Sequence, residues 1–144
     1  MKIRKGKLSD LQEVYKTLNK TLELQGGTGG ETYSKEWVKT ALTDKERELF
    51  LIAEEKNKII GLLSAELWKN KKYSFFLDIF VEPEYRKKGV ASALLKEYEE
   101  ICKDIGIKKF IALVLITNKR MQNFIEKRNY KRGDKFYFYE KNRK

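Results

Sequence analysis

Phe75 to Leu95 reads FFLDIFVEPEYRKKGVASALL, and this stretch decides the fold. An apolar strand carrying one acid, Asp78, runs through Ile79, Phe80 and Val81 into a short loop. The loop ends Arg86-Lys87-Lys88-Gly89-Val90-Ala91-Ser92, where an amphipathic helix begins without a break. Backbone amides near a helix start, a glycine in place of a side chain and adjacent basic residues together form an anion site. The helix dipole favours negative charge there by about 0.3–1 kcal/mol. A basic loop capping an ordinary surface helix is the competing reading. The strand before the loop and the helix after it favour a phosphate-bearing ligand.

Working outward, Met1–Arg4 has the character of a short strand. Ser9-Asp10-Leu11-Gln12 reads as a capping box with Ser9 as N-cap. Leu11, Val14, Tyr15, Leu18 and Leu22 follow at helical spacing. The glycine-rich run Gly26 to Gly30 ends that helix and lacks the Gly-Lys-Ser/Thr of a P-loop. Ser34 is placed to cap a second helix through Leu42. Leu49–Glu54, Ile59–Trp68 and Tyr73–Val81 read as three strands joined by short turns, an antiparallel meander. The helix from Gly89 to about Ile105 sets Leu94, Tyr98, Ile101 and Ile105 on one stripe and ends at Gly106. Lys109–Ile116 is an apolar run expected to be a buried central or parallel strand. A short helix to Arg128 follows, then strand-like residues at Tyr130 and Lys135–Tyr139. The expected architecture is α+β: one mixed, mostly antiparallel sheet of six to seven strands, about four helices, and a single domain over residues 1–144.

Composition narrows the function. The chain has 144 residues, 41% of them apolar, enough for one packed core. Its longest apolar run, Phe110–Ile116, is far below a membrane span of ~20 residues, and no apolar signal core follows the basic N-terminus. A cytoplasmic protein with no membrane partner is expected. The absence of histidine removes His-based triads and His-ligated metal sites, and no metal is expected. Cys102, the only cysteine, reads as a packed thiol. The net charge of +11 favours anionic partners, but the basic residues are mostly interspersed with acids. With no nucleic-acid motif beside that charge, a nucleic-acid-binding protein is a disfavoured alternative.

Strand, Arg86-x-x-Gly89-x-Ala91, then Leu94-Leu95, resembles the acetyl-CoA-binding motif of the GNAT superfamily of N-acetyltransferases. Asn118-Lys119-Arg120-Met121-Gln122-Asn123-Phe124-Ile125-Glu126-Lys127-Arg128-Asn129-Tyr130 resembles the second motif of that family. The resemblance implies a fold with splayed central strands, Tyr73–Val81 and Lys109–Ile116. It implies that the amides of Arg86, Lys87, Lys88, Gly89, Val90 and Ala91, with the Ser92 hydroxyl, hold the pyrophosphate of acetyl-CoA. Main-chain groups of Ile79, Phe80 and Val81 would pair with pantetheine as an added strand, and Asn118 would hydrogen-bond the same arm. A primary amine would attack the thioester directly, with no covalent enzyme intermediate.

The amine must lose a proton first. Asp78 is the candidate base, since burial would raise its pKa into a useful range. The same carboxylate also fits a role in ordering the loop or gripping a substrate cation. Glu66, on the neighbouring strand, is the second candidate and also reads as an outward-facing residue. The slot where the family commonly carries a tyrosine, a proton donor to the leaving thiolate, holds Ile125. That departure keeps open a CoA-binding sensor or scaffold without turnover. Asn129 stands where the family has glycine. Acceptor identity would be set within Glu23–Trp37 and the Lys69–Lys72 turn, with Tyr33, Trp37 and Trp68 as candidate pocket walls and Glu23, Glu31 and Glu36 as candidate cation contacts. A homodimer is left open.

Overall fold

Five segments of β-branched and aromatic residues pair into one sheet in the computed structural model, which describes residues 1–20 and 33–143. The predicted Gly26–Gly30 turn, Leu22, Glu23 and Glu31 lie outside the described residues. The chain packs as two compact units, Met1–Leu113 and Val114–Lys144.

In the first unit the strands are β1 (Lys2–Lys5), β2 (Glu48–Glu55), β3 (Lys58–Trp68), β4 (Tyr73–Val81) and β5 (Lys109–Ala112). They lie in chain order, antiparallel from β1 to β4, with β5 parallel to β4. The helices are α1 (Leu11–Lys20), α2 (Lys35–Thr43) and α3 (Val90–Asp104). Left-handed Lys56 and Asn57 close the β2–β3 turn, and left-handed Lys72 closes β3–β4.

Helices α1 and α2 cover one face of the sheet. Val14, Leu18, Val38 and Leu42 pack there against Phe50, Ile52, Leu62 and Phe80. Ser34 caps α2 as expected, its Oγ accepting from Trp37 N–H at 3.1 Å. The start of α1 departs from expectation. Asp10, not Ser9, closes it: its carboxylate accepts from Lys7 N–H and from both terminal nitrogens of Arg4, each at 2.9 Å. A charged acceptor outcompetes a hydroxyl for these donors, and Arg4 beside it holds the Asp10 pKa down.

The other face belongs to α3. Its buried residues are Val90, Leu94, Leu95, Tyr98 and Cys102. The stripe is therefore rotated from the expected one, with Ile105 43% exposed and Cys102 fully buried. Burial pushes the Cys102 thiol up to about 11, which makes it a packing group, not a nucleophile. Gly61 sets how closely α3 approaches. A Cβ there would stand 2.9 Å from Phe80 O and 3.1 Å from Val90 Cγ1.

The second unit contains one helix, α4 (Lys119–Glu126), and no strand among its described residues. The expected sheet of six to seven strands is thus five. The apolar run from Lys109 ends as a strand at Ala112, and Lys135–Tyr139 forms none. Strand propensity needs a neighbour to satisfy the backbone. Leu113, Ile116 and Phe136 to Tyr139 are more than 70% exposed. Likewise β5 is a half-buried edge strand, not a central one. No helix among the described residues is long and apolar enough to cross a membrane.

Candidate active site

The loop leaving β4 makes one 3-10 turn, Pro83–Tyr85, before α3. Lys87 (φ 59°) and Gly89 (φ 84°) are left-handed on either side of Lys88. Such alternation turns successive amides into one concavity. The first helical bond is from Ala93 N–H to Gly89 O at 3.0 Å. The amides of Lys87, Lys88, Gly89, Val90 and Ala91 donate to no backbone carbonyl among the described residues. A Cβ on Gly89 would meet no atom within 4 Å, so the glycine faces open space. Lys87 and Lys88 are exposed beside it. The carboxylate of Glu82, which would oppose an anion, is paired to Lys20 at 2.9 Å.

Arg86 differs from its neighbours. Its amide donates to Pro83 O at 3.3 Å and its Nε to Val81 O at 2.8 Å, while its guanidinium lies over the Phe80 ring. It braces the loop from within. The amide row thus starts at Lys87.

Upstream, β4 parts from β5. Their pairing ends at Phe76 opposite Ala112, and β4 runs on five residues further, Leu77 to Val81, with no strand on that edge among the described residues. Glu82 N–H donates to Ile60 O, which fixes the alternation along β4. It turns the amide and carbonyl of Phe80 toward β3, and those of Ile79 and Val81 toward the open edge. Of the three residues expected to pair with a ligand through the main chain, Phe80 is therefore committed to the sheet, and the Val81 carbonyl already accepts from Arg86.

The parting coincides with a β-bulge. Ser64 pairs with Asp78 but Ala65 pairs with Phe76, so Leu77 is the extra residue. Beyond the bulge, Asp78 faces the α1/α2 side. It is 8% exposed and held by two hydroxyls: Tyr33 Oη donates to Oδ1 and Ser64 Oγ donates to Oδ2, each at 2.8 Å. Burial raises its pKa, and the two hydrogen bonds pull it back in part. Tyr33 and Ser64 are partners the sequence reading missed. The hairpin register could have found Ser64, but only with the bulge placed.

Glu66 lies on the same face two register rows away, opposite Glu48 on β2 and Phe75 on β4. It is half-buried, and its Oε2 accepts from Trp68 Nε1 at 3.3 Å, not from Asp78. Burial, then Glu66 and Asp44, push the Glu48 carboxyl up to about 7. Glu48, Glu66 and Trp68 border an open cleft of about 570 Å³. Of the predicted pocket walls, Tyr33 and Trp37 pack on each other at 4.4 Å, whereas Trp68 joins Tyr73 and Phe75.

In the second unit, Asn118 Oδ1 accepts from Met121 N–H at 3.1 Å and so caps α4. Ile125 is half-buried, and Asn129 takes the left-handed conformation (φ 67°) that its place in the motif requires.

Residues 11–130 match the model of the acetyltransferase (GNAT) family. The chain belongs to that family. This is the family that the two motifs resemble. Over 57 residues it is 37% identical to the thialysine N-epsilon-acetyltransferase of Bos taurus, a match covering 40% of this chain and 33% of that protein. The chain thus spans about a third of the length of that curated relative. Its fold is shared with a PaiA N-acetyltransferase from Thermoplasma acidophilum in complex with coenzyme A. There the TM-score is 0.82 at 23% identity, covering 94% of this chain and 92% of that one. A possible acetyltransferase from Clostridium difficile 630 superposes with a TM-score of 0.80 at 23% identity, covering 99% and 98%. AAC(6')-Iy, in complex with a bisubstrate analogue, gives 0.79 at 18%, covering 98% and 97%.

Proposed function

We propose that this chain transfers the acetyl group of acetyl-CoA to a primary amine by direct attack in a ternary complex. The observation that carries the reading is the pairing of an unfilled amide cradle, Lys87 to Ala91, with a buried carboxylate, Asp78, on the strand that leads into it. The cradle fits a pyrophosphate: its amides lack carbonyl partners, Gly89 leaves room, and two lysines flank it. The Ser92 hydroxyl lies one turn into the helix on the same side of the sequence motif. The outward main-chain groups of Ile79 and Val81 suit an extended pantetheine arm laid along the open edge of β4.

When bound, acetyl-CoA supplies an acetyl group activated as a thioester. The acceptor arrives as an ammonium, with a pKa near 10.4 for a lysine-like amine. Asp78 takes the proton that frees its lone pair. A carboxylate at its ordinary pKa is a weak base for this task; one raised by burial is better matched. The nitrogen then forms its bond to the acetyl carbon as the carbon–sulfur bond breaks. The second proton that the nitrogen sheds passes through water to the CoA thiolate, which, with a thiol pKa near 8.5, leaves without a dedicated acid. Glu66 is bonded to Trp68 and not to Asp78, and its place beside Glu48 suits contact with a second cationic group of the acceptor. Thiol release from acetyl-CoA, measured across a panel of primary amines, tests the activity. Acceptor-dependent release is expected; tight CoA binding with no release from any amine would leave only a binding module.

A further inference from the structure

We propose that Tyr33 is a positioning residue for the acceptor side of this site: its hydroxyl, with that of Ser64, holds the Asp78 carboxylate aimed and ionised to receive a proton. The inference rests on the reading of Asp78 as the base. It starts from geometry. Two hydroxyls from different elements each take one oxygen of a buried carboxylate at 2.8 Å, Ser64 from β3 and Tyr33 from the residue before the cap of α2. Each oxygen keeps a lone pair for an incoming amine.

Tyr33 is itself held from two sides. Its carbonyl accepts from Asn19 Nδ2 on α1 at 3.1 Å, and its ring lies 4.4 Å from that of Trp37 on α2. Neither contact uses the hydroxyl. The packing would be served equally by phenylalanine, and among the described residues the oxygen bonds Asp78. No Lys or Arg pairs with Asp78 among the described residues. From α1 and α2 the residues packed on this face are apolar Val14, Leu18 and Val38, and on β2 Phe50 stands opposite Ser64. The acids Glu66 and Glu48 stand on the same face, two register rows on. With no cation to offset burial, the two hydroxyls are what keep the carboxylate available as an anion. Burial and Asp78 raise the phenol's own pKa, so it stays protonated and donates.

The test compares the full chain with Tyr33→Phe. Aspartate is labelled with 13C at the side-chain carboxyl, and the Asp78 signal is assigned by its loss in Asp78→Asn. Removing one hydrogen bond to an ion is expected to move the Asp78 titration midpoint up by about one pH unit. The acid limb of kcat/KM for the acceptor should move with it, at unchanged CoA affinity. Ser64→Ala should shift the midpoint in the same direction. An unmoved midpoint in Tyr33→Phe, with Asp78→Asn inactive, overturns the proposal and leaves the base reading standing. An Asp78→Asn variant as active as the parent removes the base reading, and the proposal with it.

Discussion

Phe76 and Phe80, four residues apart on one strand, face opposite sides of the sheet: Phe76 packs near Tyr98 of α3, and Phe80 joins Leu18 and Val38 of α1 and α2. A regular strand would place both on one face. The extra residue, Leu77, makes the difference, and β5 ends its pairing beside it. We connect the two: the bulge bends β4 out of register and opens the edge proposed above for the cofactor arm. Deleting Leu77 leaves Asp78 opposite Ser64 but removes the bend. Calorimetry should then show CoA affinity lowered about tenfold or more, with a cooperative thermal transition retained. Unchanged affinity would separate the bulge from the cofactor site.

The cradle makes a second demand, on Gly89. Its φ of 84° disfavours any side chain, at about 1 kcal/mol for most residues. Open space around it removes any steric clash within the protein. Gly89→Glu should therefore fold with a modest loss of thermal stability yet lose measurable CoA binding, because the new carboxylate sits where the anion must. Gly89→Ala should show the same stability loss with a smaller drop in affinity.

Glu48 gives the pH dependence of stability a sign. Its folded pKa, pushed up to about 7, exceeds the ordinary carboxyl value of 4.5. Below pH 4.5 both states hold the proton and nothing is lost. As pH rises from there to about 7 the unfolded chain ionises first, so stability falls. Glu48→Gln should leave the melting temperature at pH 4 unchanged and raise stability at pH 8 by on the order of 1 kcal/mol, a figure reduced for partial exposure. Equal melting temperatures at pH 8 would contradict the raised Glu48 carboxyl, which burial first and then Glu66 push up.

Much of this was legible in the sequence, for identifiable reasons. The β2–β3–β4 meander follows from apolar runs and two short turns, and α3 from its glycine-to-glycine stripe. The cradle is visible because Gly89 and its basic neighbours are contiguous. What escaped depends on distant pairing. Counting back from the Trp68–Tyr73 pair puts Leu77 opposite Ser64, and only the bulge substitutes Asp78. The Tyr33 contact spans 45 residues and leaves no local pattern. Asp10 displaced Ser9 at the start of α1 because Arg4 lies beside it across a turn. Lys135–Tyr139 has every local mark of a strand, and its propensity goes unused for want of a partner.

The central claim is that Asp78 receives the proton from the acceptor amine. The most direct measurement is the pH profile of acceptor-dependent thiol release for the parent chain and Asp78→Asn, with CoA affinity measured on both. The account predicts equal CoA affinity, a parent rate that rises through a pKa above the ordinary aspartate range, and a loss of about 100-fold or more in kcat for Asp78→Asn with that rise abolished. An Asp78→Asn chain that turns over at the parent rate with the parent pH profile would contradict it.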